Sequence, residues 1–169
     1  LFACGESLDE GPDLSASEQR VRLLTASQYA NTIGQVFGED VARAVIPPVP
    51  PLQRTDGLLA SGAAFVGLTS DQISQIQLAA TVIGRKVVDE EHRFFLIGCE
   101  PADLKASDTE CATSFLKDSG RFLYRRPLSD SQLNALVAVA DAAALETEDF
   151  YEGLALALEA VLISPEFLF

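Results

Sequence analysis

Three times along this chain a hydroxyl residue is followed, three positions later, by glutamine, and an apolar helical stripe begins just behind it. The pairs are Thr25–Gln28, Thr69–Gln72 and Ser129–Gln132. In each, the hydroxyl can accept from a first-turn N–H while the glutamine side chain reaches back to the cap's own N–H. Two donors that a helix end would leave orphaned are thereby satisfied. Behind the first pair, Tyr29, Ile33, Val36 and Phe37 share a face, and Gly38 can close the helix. Behind the second, Ile73, Ile76, Ala80, Ile83 and Val87 repeat at helical spacing and predict one helix over about 70–88. Behind the third, Leu133, Leu136, Val137, Ala140 and Ala144 form the stripe.

Two more helices complete the set. Asp108 or Thr109 can cap one that runs through Phe115, Leu116, Phe122 and Leu123 and ends at Pro127. The last runs from about Glu148 to Ile163, with Phe150, Leu154, Leu158, Val161 and Leu162 inward. Ala155, Leu156 and Ile163 make its other side apolar, as expected of a helix buried on several sides. Between the helices, the four prolines of 47–51 forbid helix and favour an extended segment, and 56–67 reads as a Gly- and Ala-rich loop. No stretch alternates like a strand; Phe94-Phe95-Leu96-Ile97 is the one short apolar run that could be extended. The expectation is an all-α domain of about five principal helices in a compact bundle with long Pro/Gly-rich loops. It spans 23–169, behind an acidic, flexible tether at 1–22.

Charge narrows the function. Lys plus Arg number 12 against 25 Asp plus Glu, a net charge of −13, which repels phosphate backbones and anionic lipid. The longest apolar stretch, 153–164, is interrupted by Glu159 and is too short to span a bilayer.

Catalytic patterns are missing. There is no Gly-x-Ser-x-Gly elbow, no phosphate-cradling glycine loop, and a single histidine, His92, to act as base. Glu90 and Glu91 do not share a helix face, as paired glycosidase carboxylates would need to. His92 sits in Asp89-Glu90-Glu91-His92-Arg93. It reads as an exposed histidine near a helix C-terminus, or as the one imidazole of a carboxylate-rich metal site completed by a partner. Asp103, Asp108 and Glu110 could contact calcium, but the EF-hand pattern is absent and solvation of a loop explains them. Zero Met and no Cys-x-x-Cys-His rule out a His/Met axial pair and covalent haem attachment. No cofactor is expected within this chain; haem would belong to a partner domain. Arg121, Arg125 and Arg126 stand out in an acidic chain. Positions 121 and 125 share a helix face and suit either helix-end complementarity or docking.

Leu1-Phe2-Ala3-Cys4-Gly5 looks like a bacterial lipobox, making Cys4 a lipidation candidate and the run after it a tether. Cleavage there would remove Leu1–Ala3, which are still present, so an ordinary cysteine in a frayed terminus is the alternative.

Five segments in order resemble one family: large secreted or lipid-anchored bacterial proteins of planctomycete and myxobacterial type, whose segments are consecutive domains of unknown function. The segments are Leu23-Leu24-Thr25-Ala26-Ser27-Gln28-Tyr29-Ala30-Asn31-Thr32-Ile33, Ile46-Pro47-Pro48, Cys99-Glu100-Pro101 with Cys111, Arg125-Arg126-Pro127-Leu128, and Ser164-Pro165-Glu166-Phe167-Leu168. The resemblance covers about 23–169. Many relatives carry a c-type cytochrome module, which implies redox work in the cell envelope, and they continue past the final Phe-Leu-Phe. It therefore implies an exported chain (periplasmic, outer-membrane-anchored or extracellular) that is the N-terminal portion of something larger. In that setting Cys99 and Cys111 read as a disulfide closing the 100–110 loop, worth on the order of 3 kcal/mol, with two buried thiols as the alternative.

The function expected is a non-catalytic helical scaffold or interaction module that contacts a protein partner or a downstream domain. Phe167, Leu168 and Phe169 join the three arginines as interface candidates, because an apolar terminus needs burial. The alternative is one portion of a split or processed enzyme, such as a haem or metal oxidoreductase, whose active site another chain completes.

Overall fold

A computed structural model describes residues 22–51 and 68–169. The secondary structure of these residues is entirely helical: α1 Ala26–Phe37, α2 Glu39–Arg43, α3 Ser70–Val88, α4 Arg93–Leu96, α5 Thr109–Leu123, α6 Asp130–Thr147, α7 Phe150–Leu162 and α8 Pro165–Leu168. The five long helices are those expected, and the fold is all-α. Cys4 and most of the acidic tether lie outside the described residues, as does the 56–67 loop.

All three capping boxes form. Thr25, Thr69 and Ser129 each accept from the amide three residues on, and Gln28, Gln72 and Gln132 return the bond. Local chemistry therefore fixes where α1, α3 and α6 begin, whatever they pack against. Gly38, at φ 101°, ends α1 in a backbone conformation that a side chain would resist, and the chain turns directly into the short α2.

The apolar helix α7 runs through the middle. It packs along α6 on one side and α3 on the other, and touches α5 and α8. Phe150, Leu154, Leu158, Val161 and Leu162 are buried, as expected, together with Ala155 and Ala157. Small residues let the backbones come this close. A Cβ on Gly153 would sit 2.5 Å from the Ala140 carbonyl oxygen and 2.8 Å from the Ala144 methyl. Across the other face, a Cβ on Gly84 would sit 2.9 Å from the Ala155 carbonyl oxygen. The α1 stripe of Tyr29, Ile33 and Phe37 closes one side of this core. Tyr29 stacks obliquely on Phe167 of α8 at 5.4 Å, and the Leu24 amide donates to the Leu168 carbonyl at 2.7 Å. Burial suppresses ionisation of the Tyr29 phenol, holding it neutral against its aromatic neighbour.

Four local expectations are corrected. The helix α5 stops at Leu123 and does not reach Pro127, because the residue before a proline disfavours helix and Arg125 takes a left-handed conformation, φ 56°. Leu128 can then fold back over Gly120, where a Cβ would meet its Cδ1 at 2.6 Å. Phe122 falls beside the buried line of Phe115, Leu116, Ser119 and Leu123 and is 56% exposed. Ile73, in the first turn of α3, is also exposed and lines an apolar groove with Ile163, Pro165 and Phe169. Residues 94–96 are not extended but belong to the helical turn α4, and Ile97 alone takes an extended conformation.

Replacing Gly153 by alanine is expected to lower stability by about 1–3 kcal/mol in urea unfolding, because the new methyl meets backbone and not a flexible side-chain tip. Gly98→Ala, where nothing lies within 4 Å, should change stability by less than about 0.5 kcal/mol. Equal effects of the two would contradict this packing.

Candidate functional site

The surroundings of His92 are built by the turn that ends α3. Asp89 leaves the helix in an extended conformation and receives the chain back on itself. Its carbonyl accepts from the amides of His92 and Arg93, and its Oδ1 accepts again from the His92 amide at 2.9 Å. The His92 carbonyl then accepts from Phe95 and Leu96, which starts α4.

This turn carries the His92 ring inward, where it is 8% exposed, so the exposed histidine expected from the sequence is not found. Nδ1 lies 2.6 Å from Asp89 Oδ1, and Nε2 faces Asp40 Oδ2 of α2. A ring with a carboxylate at each nitrogen is best matched as an imidazolium with two N–H donors. Accordingly the bond to Asp40, then the bond to Asp89, raise the His92 pKa above its ordinary value. The bond from His92 holds the Asp40 carboxyl below the usual range. Burial works against ionisation of Asp89, but the bonds from His92 and Lys86 outweigh it, and its pKa is also lowered.

Asp89, Glu91 and His92 each offer one ligand atom, all within 4.8 Å of one another. The donor set nevertheless suits a metal poorly. Both imidazole nitrogens already face carboxylates, and the Lys86 ammonium lies 3.2 Å from Asp89 and 3.6 Å from Glu91. The chain itself supplies the positive charge that these carboxylates attract.

Next to the buried His92 ring, α4 projects two aromatic side chains. Phe94 and Phe95 are 83% and 81% exposed and meet edge to face at 5.2 Å. Beside them is an open cleft of about 540 Å³, lined by Arg93, Phe94, Ile97, Cys99, Leu104 and Tyr151. The Arg93 guanidinium lies over the Tyr151 ring at 4.5 Å, tying the α4 turn to α7. A sequence reading that treats 94–97 as an apolar run finds these residues but not their exposure. Four apolar residues in a row carry no period from which a face could be read.

Cys99 and Cys111 form the expected disulfide, with Cα atoms 5.6 Å apart. It fastens the segment after α4 to the first turn of α5. The cap of that helix reinforces the join: the Asp108 carboxylate accepts from the Cys111 and Ala102 amides at 3.0 and 3.1 Å, bonds that lower its pKa in that order. The Phe150 amide donates to the Leu104 carbonyl and pins the middle of the loop to the start of α7. Asp108 is therefore a helix cap, which absorbs one of the three carboxylates considered for calcium.

The arginines do not form one patch. Arg121 lies on α5 over the Phe122 ring at 5.1 Å. Arg125 is beyond the helix end, so the shared face expected for 121 and 125 does not exist. Its guanidinium instead donates to the Phe167 carbonyl at 3.1 Å and the Glu166 carbonyl at 3.4 Å, holding α8 in place. Arg126 donates to Gln132 in the α6 capping box at 3.1 Å. Phe167 and Leu168 are core residues, so the burial that an apolar terminus requires is met within the chain, while Phe169 is 39% exposed. No helix among the described residues is long and apolar enough to cross a membrane.

Residues 111–169 match the model of a family described as protein of unknown function (DUF1595), PSD5. No curated protein matches this chain, and no solved structure does. The matched stretch runs from Cys111 through α8. It holds one half of the disulfide and the whole of α7, but neither His92 nor α4. Its buried faces are completed from outside the match, by Gly84 of α3 against Ala155 and by Tyr29 of α1 against Phe167.

Reduction of the disulfide, or the double change Cys99→Ser with Cys111→Ser, is expected to lower stability by about 3 kcal/mol in denaturant unfolding. Non-reducing peptide mapping of the native protein should recover 99 and 111 linked. Free thiols at both positions would overturn the pairing.

Proposed function

We propose that this chain is a non-catalytic helical interaction module that presents the Phe94–Phe95 pair of α4 to a protein partner or a neighbouring domain. The observation that carries the reading is the pair itself: two adjacent phenylalanines, more than four-fifths exposed, on a helical turn that is fixed from behind. Isolated exposed apolar residues need no explanation, but a contiguous aromatic pair beside a cleft has the aromatic character enriched at interface cores. The fixing is unusually complete for so short a helix. Asp89 closes the turn before it, the disulfide anchors the segment after it, and Arg93 stacks on α7. Such pre-organisation reduces the entropy lost on docking.

The shifts of the titrating groups among the described residues have structural causes. Asp108 caps a helix, Tyr29 and Tyr124 are shifted upward by burial, and Asp40, Asp89, Lys86 and His92 bond to one another. This favours docking over catalysis as the use of the site. The setting we propose is an exported multidomain bacterial protein of planctomycete and myxobacterial type, associated with envelope redox proteins. Cys4 would carry a lipid anchor, and a cytochrome-bearing domain would be the neighbour. The disulfide supports an oxidising compartment. The acidic charge disfavours nucleic acid as the partner.

A photo-crosslinking residue at position 94 in the complete gene product should capture either another domain of the same polypeptide or one defined partner. With the crosslinking residue moved to the exposed position 98, the double change Phe94→Ser with Phe95→Ser should remove capture and weaken docking by at least about 2 kcal/mol, the loss typical of a hot spot. Because both rings are exposed, the melting temperature should stay within a few degrees of the parent's. A variant that docks unchanged would overturn the proposal.

A further inference from the structure

We propose that His92 is a proton-operated latch on α4: its doubly protonated ring bridges Asp40 of α2 to Asp89 at the end of α3, and loss of one ring proton releases the Asp40 arm and loosens the turn that presents Phe94 and Phe95. The proposal rests on the reading of α4 as the docking element and names how that element is regulated.

An imidazolium has two N–H groups and can satisfy two carboxylates; a neutral imidazole has one. Once the ring is neutral, one nitrogen presents a lone pair to a carboxylate oxygen, and that contact is repulsive. The surroundings decide which contact breaks. Asp89 is held by the Lys86 ammonium and by the backbone amide of His92 as well as by the ring. Asp40 has a side chain 60% exposed and can turn to water. The Asp40 arm therefore opens first. It is also the arm that joins distant segments, because positions 40 and 92 are 52 residues apart, whereas Asp89 is three residues from His92.

Among the described residues, the charged groups around the ring are few. Asp40 faces it from α2. Asp89 and Lys86 face it from the end of α3, and Lys86 also reaches Glu91 in the turn. Arg93 is directed elsewhere, toward the Tyr151 ring, with Glu90 at 3.8 Å. Burial and, to a lesser degree, Lys86 oppose protonation of His92, and the bonds to the two carboxylates overcome both.

The direction of the pH dependence follows. His92 titrates above its unfolded value, so its contribution is complete below about pH 6.5 and is lost as pH rises through the higher folded value. Asp40 and Asp89 titrate below theirs, so their contribution is present above about pH 3.9 and is lost as pH falls through the lower folded values. The latch is closed between these limits and opens on the alkaline side.

Because His92 is the one histidine of the sequence, its ring nitrogens can be followed by NMR without assignment ambiguity. The expected result is a titration above about pH 6.5 with both ring nitrogens protonated below it. Hydrogen-exchange protection of the Phe95, Leu96 and Ile97 amides, whose acceptors are the His92 and Arg93 carbonyls, should fall about tenfold through that same titration. In Asp40→Asn the His92 pKa should drop, and the protection change should move with it. In His92→Gln the protection should be low and flat with pH. A His92 titration at or below the ordinary value would overturn the latch, and so would α4 protection that ignores the His92 titration or changes identically in the two variants. These measurements need no partner. A failed latch with intact crosslinking at position 94 leaves docking standing, and a working latch without crosslinking removes only the docking.

Discussion

The close approach of three helix backbones at Gly153 and Gly84 is the constraint on which the rest of this domain depends. The helix α7 can be apolar on nearly every side only because α6 and α3 come near enough to cover it. They do so where side chains are reduced to hydrogen or methyl: Gly153 against Ala140 and Ala144, Gly84 against Ala155. Larger residues there would push the helices apart and expose Leu154, Leu158 and Leu162, which are fully buried. Dense packing of this kind transmits displacement with little absorption. The ends of α3 and α7 are therefore well-defined platforms, and α4, the disulfide loop and the α5 cap are all mounted on them.

The helical skeleton was legible in the sequence because its signals are local. A capping box needs only four consecutive residues, and the stripes behind Thr25, Thr69 and Ser129 need only one helix each. The disulfide was legible once the resemblance supplied an oxidising setting. The surroundings of His92 were not. Its burial depends on Asp40, and nothing in the stretch 89–93 reveals that α2 folds across it. The exposure of Phe94 and Phe95 was hidden for the same reason: which way a single helical turn faces is set by the neighbours that hold its ends. Arg125 shows a subtler limit. Spacing placed it one turn after Arg121, but Pro127 and the folding back of Leu128 ended the helix first and turned it toward α8.

The segment that matches the family model contains the central helix of the fold, yet its buried faces are completed from outside it. Residues 111–169 contain α7 and its cover from α6, but the other cover comes from α3, and α8 is seated against Tyr29. The five-helix arrangement thus describes a domain larger than the matched stretch. The candidate site lies in the part that precedes it, at the junction where α3 hands over to the disulfide loop.

The bond between the Leu24 amide and the Leu168 carbonyl brings the two extremities of the helical domain together. Polypeptide leading into position 23 and polypeptide leading away from position 169 would leave from one corner of the domain. Tension applied through both would load that corner before the interior. A single backbone bond, the Tyr29–Phe167 contact and the Arg125 grip on α8 would part before Gly153 or Gly84 felt the pull. Mechanically the domain is in series with any such chain: once this corner parts, strain would peel α1 and α8 away first and reach the glycine contacts and the disulfide loop last.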